Sequence, residues 1–341
     1  MSTTPEQPRR VLVLITGGTI CMQDSPDGLV PTKDFVHNLL VPHADFHNGS
    51  SVGETHVIDE LGQASTAYTI RPPPRNEDLL QYECSVLEFQ DLIDSSSMNG
   101  SYWNQIATTL QANWRAFDAF VILHGTDTLA YTAAVLAFIL GRPEKTVIVT
   151  GSQLSMYVPH NDAHDNLLDS LTLAASYDIS EVSVVFHRHL YRATRVTKVS
   201  AYSLAAFTTP NARPLAKIHA EPKGSWSASL HSPHIKVVSR LPVCKVNAGS
   251  VSPSVTHLET SRVAVLKVYP GINGELIKQI VHIPHLGGLI LETFGAGNVP
   301  LGSDSNSLLE ILTAAVQKGI VVVSVTQCKS PAGIFISTSI N

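Results

Sequence analysis

Short apolar runs rich in β-branched residues alternate along this chain with polar turns and with segments of helical spacing. Five such runs lie in the first two thirds of the chain, at residues 11–20, 84–93, 117–123, 146–150 and 181–186. Segments with apolar residues at helical spacing follow several of them, at residues 103–117, 129–140 and 167–176. Buried strands that alternate with helices predict an α/β fold with a doubly wound sheet.

The pattern changes after residue 210, where Pro, Ser and Gly interrupt every periodic run. A second α/β unit follows, with apolar runs at residues 263–268, 288–291 and 320–325 and helical spacing at 275–280 and 307–318. We therefore predict a disordered N-terminus over 1–10, a larger domain over 11–214, a linker over 215–260 and a smaller domain over 261–341.

Composition excludes several classes of partner. The 341 residues carry a net charge of −5 and no long run of Lys or Arg, so we expect no nucleic acid. The first ten residues are polar, and the apolar run after them is too short to span a bilayer, so we expect no membrane and a cytosolic protein. The scattered cysteines, with no CxxC pair, predict reduced thiols.

Polar turns follow the first three predicted strands of the larger domain. They contain Thr16-Gly17-Gly18-Thr19, the pair Asp94 and Ser95, and residues 124–128, read HGTDT. The carboxyl ends of parallel strands meet at one edge of a sheet, where open α/β folds bind ligands. Hydroxyl and carboxylate groups at these ends predict a shared polar crevice, although Asp94 and the 126–128 turn also suit simple helix capping.

Other candidates carry weaker signals. Lys198, delivered after a strand, could serve as a base, although most lysines are solvated. Cys21 lies close to Thr19, but buried cysteines are usually inert. His160 and His164 have the i, i+4 spacing of a helical metal pair, yet no third ligand is evident and capping explains the segment. We expect neither a metal nor a cofactor. TGGTI lacks the third glycine of a dinucleotide-binding turn.

A last glycine turn, ETFGAGN, ends a strand of the smaller domain. Taken in order, TGGTI, DSS, HGTDT, the pair Thr197-Lys198 and ETFGAGN resemble the bacterial-type asparaginase family. The likeness is to its cytosolic type I branch, which is shared by bacteria and the animal asparaginase/lysophospholipase proteins. It runs from about residue 10 to residue 328.

The resemblance implies an amidohydrolase that converts L-asparagine to L-aspartate and ammonia through a threonine acyl-enzyme. Thr19 matches the family's nucleophile. The second threonine, the aspartate and the lysine of its triad match Thr126, Asp127 and Lys198. A threonine hydroxyl needs such a neighbouring base or relay to become nucleophilic.

The resemblance also implies the groups that bind substrate. Asp94 and Ser95 match the pair that holds the α-carboxylate and α-ammonium groups, with Asp127 sharing the ammonium contact. Asn298 matches a residue contributed by a neighbouring subunit of a homodimer or homotetramer, and Glu292 is a less certain partner. Thr197 lies where the contacts of the type I effector site for asparagine would fall.

The chain departs from the family pattern at two places. Leu29 stands in the flexible loop where bacterial type I members carry a tyrosine, and the sequence after about residue 328 no longer follows the family, which suggests a truncated smaller domain. Two alternatives therefore stay open: a catalytically impaired subunit that binds asparagine, and a glutaminase or lysophospholipase activity.

Overall fold

The apolar runs of the larger domain form the middle of one ten-stranded sheet. The computed structural model describes residues 8–26, 28–73, 81–141, 143–220, 233–238, 252–258, 262–300, 307–329 and 334–335. The chain divides into two compact units, Met1–His257 and Leu258–Asn341. This is the α/β architecture with a large and a small sheet domain that the sequence predicts.

The first unit contains fourteen described strands and three α-helices. Its strands are β1 Arg9–Gly17, β2 Met22–Ser25, β3 Gly28–Pro31, β4 Gly53–Ile58, β5 Ala64–Ile70, β6 Tyr82–Ile93, β7 Ala119–Leu123, β8 Thr146–Thr150, β9 Val182–Phe186, β10 His189–Arg192, β11 Thr197–Lys198, β12 Phe207–Thr208, β13 Ala216–Ala220 and β14 Pro233–Val237. Its helices are α1 Gly100–Asn113, α2 Leu129–Ile139 and α3 Ala163–Ser176.

The order of strands in the main sheet is β14-β13-β10-β9-β8-β7-β1-β6-β5-β4. Strands β6, β1, β7, β8 and β9 run parallel, and antiparallel strands extend the sheet at both edges. The first strand is central and has β6 on one side and β7 on the other. Three consecutive parallel strands therefore end side by side.

Both faces of the central strand are buried, which explains its unbroken apolar sequence. Val11, Val13 and Ile15 pack in a core with α3 residues such as Leu167. Leu12 and Leu14 face the opposite side and pack in a core built by α1 and α2. Helices on both faces make the sheet doubly wound, as predicted.

The second unit has its own small sheet and core. Its elements are β15 Arg262–Lys267, α4 Gly274–Val281, β16 Leu286–Thr293, α5 Leu308–Gln317, β17 Val321–Thr326 and β18 Ile334–Phe335. The strands lie in the order β15-β16-β17-β18, with the first three parallel. Leu289 and Leu291 pack against Ile277 of α4 and Ile311 of α5.

Several segments differ from the sequence prediction. Arg9 and Arg10, assigned to a disordered N-terminus, begin β1, while residues 1–7 lie outside the described part of the chain. The 22–31 segment, predicted as a loop, forms the β2–β3 hairpin. Strands β13 and β14 fall within the predicted linker and extend the main sheet. Arg9 and Arg10 are charged, β2–β3 is a separate two-stranded ladder, and β13 and β14 lie at one edge of the main sheet, so hydrophobic periodicity gives little signal for these segments.

No helix in the described ranges combines the length and apolarity that crossing a bilayer requires.

Candidate active site

Three polar turns meet at one edge of the main sheet. The registers place Ile15 of β1 opposite both Glu88 of β6 and Leu123 of β7, so the turns that follow these strands lie side by side. Thr16 strengthens this junction, because its hydroxyl donates to the Leu123 carbonyl at 2.9 Å. The topology therefore gathers the turns that carry Thr19, Ser95 and Thr126.

Glycine allows these turns to touch backbone to backbone. A Cβ added to Gly18 would lie 2.4 Å from the Gly125 Cα atom, and a Cβ added to Gly125 would lie 2.6 Å from the Ser95 Oγ atom. Gly18 also has a φ of +89°, which side chains disfavour. The Thr128 hydroxyl donates to the Ser95 carbonyl at 2.7 Å and adds a second contact between the turns after β6 and β7. The Gly18 N–H donates to the Ile93 carbonyl at 3.2 Å and joins the turn after β1 to the end of β6. All three turns are thus in direct contact.

Thr19 begins a short 3₁₀ turn, Thr19–Cys21, immediately after Gly18. Its side chain is half-buried, whereas the next residue, Ile20, is fully buried and anchors the turn. The Thr19 hydroxyl forms no hydrogen bond with any described residue. A hydroxyl held on a fixed turn without an internal partner is available to a ligand.

Lys198 connects two residues of the HGTDT turn. Its ammonium group donates to the Thr126 Oγ1 atom at 2.8 Å and to the Asp127 Oδ1 atom at 2.7 Å. The short strand pair β11–β12 delivers Lys198 to this position. Thr126 and Lys198 are at least four fifths buried, whereas the Asp127 side chain is 66% exposed, so the cluster opens to solvent at Asp127.

Gln153 completes this cluster and was not predicted from the sequence. Its Oε1 atom accepts the Thr126 hydroxyl proton at 3.0 Å. Its Nε2 atom donates to the carbonyls of Ala201 and Ser203, which fixes the orientation of the amide. The sequence does contain a signal for Gln153. It lies in the turn Gly151-Ser152-Gln153, which follows the fourth parallel strand, and that strand ends at the same sheet edge as the other polar turns.

The carboxylate of Asp162 holds the Gln153 segment in place. It accepts the backbone N–H groups of Gln153 and Leu154 at 3.0 and 2.9 Å. It also accepts from the Asn166 amide at 3.2 Å. The start of α3 therefore fixes the residue that accepts the Thr126 proton.

Asp94 caps the 3₁₀ turn Ser95–Ser97 and not helix α1, whose N-cap is Asn99. Its carboxylate accepts the Ser96 N–H at 2.7 Å. Hydrogen bonds from Ser96 hold the pKa of Asp94 below its usual range. The side chain is exposed and ionised at neutral pH, so capping leaves a negative charge beside the buried Ser95.

Cys21 lacks the properties of a nucleophile. It is fully buried, and its thiol donates to the Gly18 carbonyl at 3.3 Å. Burial raises the pKa of Cys21 to about 12, so the thiolate is not populated at neutral pH. Cys84 is also buried, and burial raises its pKa to about 12.

His160 and His164 do not form a helical metal pair, in agreement with the choice of capping over metal binding for this segment. His160 lies before α3 with a φ of +56°, whereas His164 lies in the first turn of that helix. The two side chains therefore do not share a helix face.

Thr197, the candidate effector-site residue, pairs with Thr208 beside Lys198 in the β11–β12 ladder.

Asn298 belongs to the second unit, in the turn that follows β16. It exchanges backbone hydrogen bonds of 3.0 Å with Phe294 in both directions. Glu292 lies within β16, and its carbonyl accepts from the Val268 N–H and from the Gln327 amide. These contacts give the ETFGAGN turn a defined backbone.

Comparison with known proteins identifies the family. The model named Asparaginase, N-terminal matches residues 10–230, and the model named Glutaminase/Asparaginase C-terminal domain matches residues 262–332. The chain is 35% identical to the 60 kDa lysophospholipase of Mus musculus, with 94% of this chain and 52% of that protein covered. It thus spans about half the length of that relative.

Two bacterial proteins match over more of their length. L-asparaginase 1 of Escherichia coli strain K12 is 33% identical, with 95% of this chain and 81% of that protein covered. The crystal structure of L-asparaginase I from Vibrio cholerae aligns with a TM-score of 0.70 at 32% identity, covering 94% of this chain and 82% of that one. The chain therefore belongs to the asparaginase family.

Proposed function

We propose that this chain hydrolyses the side-chain amide of L-asparagine to L-aspartate and ammonia. The observation that supports this most strongly is the Lys198 ammonium, which bridges Thr126 and Asp127 beside the glycine contact that carries Thr19. A neighbouring hydroxyl and amine form the kind of relay that a threonine nucleophile requires. The names of the bacterial relatives agree with this substrate.

In this proposal Thr19 attacks the amide carbon and its proton passes to Thr126, which gives its own proton to Lys198 as the Lys198 ammonium releases one. The relay delivers a proton to the amide nitrogen, the C–N bond breaks, and ammonia leaves an ester on Thr19. Water then attacks the ester, returns a proton to Thr19 and releases aspartate. Backbone N–H groups of the glycine turns are suited to stabilise both oxyanions.

The charged groups around this centre suit a small zwitterion. Asp94 and Asp127 would accept from the α-ammonium group, and the Ser95 hydroxyl would donate to the α-carboxylate. We further propose that Asn298 reaches the site from a second subunit of a homodimer or homotetramer. Thr197 would belong to a separate effector site. We also propose a cytosolic location, which the reduced, buried thiols of Cys21 and Cys84 support.

Ammonia release from L-asparagine by the purified chain tests the proposal. Thr19→Ala and Lys198→Ala should each lower kcat at least a thousandfold while leaving the circular dichroism spectrum unchanged. Gln63→Ala, in the exposed turn between β4 and β5, is the matched control and should retain activity. Full activity in Thr19→Ala would refute the assignment.

The name of the mouse relative makes a lysophospholipid ester the second candidate substrate. Parallel assays on L-glutamine and on a lysophosphatidylcholine separate these activities from asparagine hydrolysis. Calorimetry covers the third possibility: heat of asparagine binding without ammonia release would identify a binding subunit instead of an enzyme.

A further inference from the structure

A second cluster of reactive side chains lies in the first unit, outside the candidate active site. His43 and Asp45 follow the short π-helical turn Val36–Leu40, and His164 lies in the first turn of α3. One potential ligand atom from each of the three lies within 4.8 Å of the other two. We propose that these three side chains bind one divalent transition-metal ion, of which Zn²⁺ is the best match.

The distances suit tetrahedral coordination. Zn²⁺ binds imidazole nitrogen and carboxylate oxygen at about 2.1 Å, which separates adjacent ligands by about 3.4 Å. The Asp45 Oδ2 atom lies 2.9 Å from the His164 Nε2 atom and 3.7 Å from the His43 Nδ1 atom. The His43 side chain is 46% exposed, so it can rotate to close the remaining gap. Two imidazoles and one carboxylate leave a fourth position for water.

A hydrogen-bond network supports His164 from behind, as is typical of metal ligands. Its Nδ1 atom lies 3.3 Å from the Asp165 Oδ1 atom, which leaves Nε2 directed at Asp45. Arg188 contacts the other Asp165 oxygen at 2.6 Å and Asp169 at 2.8 Å.

The surrounding packing limits the motion of the His164 imidazole and holds the turn that carries His43 in place. Phe46 is fully buried, and its ring centroid lies 5.2 Å from that of His164 and 5.5 Å from that of His43. The N–H groups of Phe46 and His47 donate to the His43 carbonyl, which fixes the turn that carries His43. Metal binding would therefore require little reorganisation of the backbone.

A metal at this position would link the 41–47 turn to the start of α3. Asp162, two residues before His164, accepts the Gln153 and Leu154 N–H groups. Bound metal should therefore stabilise the folded chain, since a ligand that binds only the native state raises its stability. This inference does not depend on the proposed asparaginase activity.

Titration of the full chain with ZnCl₂ in a calorimeter tests the site, and Co²⁺ reports its geometry by absorption. We expect one Zn²⁺ per chain at this site, d–d bands of a four-coordinate Co²⁺ ion, and a higher thermal midpoint with Zn²⁺. His43→Gln and His164→Gln should each weaken binding at least tenfold and abolish the Co²⁺ bands. Asp165→Asn should weaken binding about tenfold by removing support from His164.

His37→Gln is the matched control. His37 contacts one carboxylate, the Asp34 Oδ1 atom at 2.6 Å, but lacks a second histidine, so its substitution should leave Zn²⁺ affinity unchanged. Circular dichroism confirms that each variant is folded. Unchanged Zn²⁺ affinity in both His43→Gln and His164→Gln, or no saturable binding by the wild-type chain, would overturn the proposal.

Discussion

At the scale of single residues, the Thr126 hydroxyl has two defined neighbours. It donates to Gln153 and accepts from Lys198, so its proton and its lone pair already point in different directions. Together the two contacts fix the position of the Thr126 oxygen between Lys198 and Gln153. Gln153 therefore acts as a positioning residue in the proposed reaction.

Gln153→Ala should lower kcat for asparagine about 10- to 100-fold while changing KM by less than threefold, because the Thr126 hydroxyl loses the acceptor that orients it. Steady-state ammonia release gives both constants. Gln63→Ala, in the exposed turn between β4 and β5, is the control and should match wild type. A rise in KM with unchanged kcat would instead identify Gln153 as a substrate-binding residue.

His124 has a different role in the same turn. It is fully buried and contacts the Thr132 hydroxyl at 2.9 Å and the Gly125 carbonyl at 2.8 Å. Burial lowers its pKa to about 4. Because the folded pKa lies below the unfolded value, the unfolded chain binds more protons between about pH 4 and 6.5, and stability falls as the pH drops through that window.

The free energy of unfolding of the wild-type chain should therefore fall by about 3 kcal/mol between pH 6.5 and pH 4 through His124 alone. Urea titrations of wild type and His124→Gln across this range isolate the contribution, since all other groups titrate in both. The difference between the free energies of unfolding of the two proteins should change with pH. Parallel curves would contradict a neutral, buried His124.

Single residues also show the limit of reading a sequence. Thr19, Ser95, Thr126 and Lys198 were predicted because they lie in polar segments that follow strands and because their motifs resemble those of the asparaginase family. Gln153 was missed because one glutamine after a strand carries no such mark. For His164, sequence spacing offered only His160 as a partner and that pair was set aside, whereas the fold brings Asp45 beside His164 from 119 residues away.

At the scale of elements, the turns after β1, β6 and β7 depend on glycine for contact, not only for backbone freedom. No positive φ is associated with Gly125, but a Cβ there would meet the buried Ser95 side chain at 2.6–2.7 Å. Displacing Ser95 would separate the turns. The contact is therefore a steric requirement of the site.

Gly125→Ala should lower kcat/KM at least tenfold and reduce the thermal midpoint by several degrees. The added Cβ would clash with the Ser95 Cβ atom as well as its Oγ atom, and rotation of the Ser95 side chain cannot move its Cβ. Gly100→Ala is the matched control: it has open space around the added Cβ and lies at the start of α1. Assay and thermal melt of both variants check the comparison. Wild-type behaviour of Gly125→Ala would show that the turns can separate without cost.

The elements that sequence predicts well are those buried on both faces. Strands β7, β8 and β9 are five-residue runs in which every residue is buried, so hydrophobicity alone marks them. Strand β5 alternates exposed and buried positions and contains Ser and Thr, so its signal is weak. Strands at the edges form because the sheet already exists, a tertiary effect that local patterns do not encode.

At the scale of the whole molecule, the residues proposed for the reaction are distributed over both units. Thr19, Thr126 and Lys198 belong to the first unit, whereas Asn298 belongs to the second. If Asn298 acts across a subunit interface, no single chain contains a complete site. Activity would then depend on assembly.

Mixing two inactive variants tests this dependence. Thr19→Ala and Asn298→Ala should each be weakly active alone, but after subunit exchange a random dimer mixture should restore about a quarter of the wild-type sites. Light scattering confirms that both variants assemble. Mixing two Thr19→Ala preparations is the control. Failure of the mixed sample to gain activity, with exchange demonstrated, would place Asn298 outside a shared site.

The burial of Cys21 has a practical consequence for chemical labelling. Its sulfur lies behind the Gly18 backbone, two residues from Thr19, and stays protonated at neutral pH. An electrophilic substrate analogue that enters the crevice should therefore modify the threonine oxygen and spare the sulfur. Peptide mass mapping would show which of the two residues is modified. Alkylation of Cys21 would indicate that the turn after β1 had unfolded, not that the analogue had bound in the site.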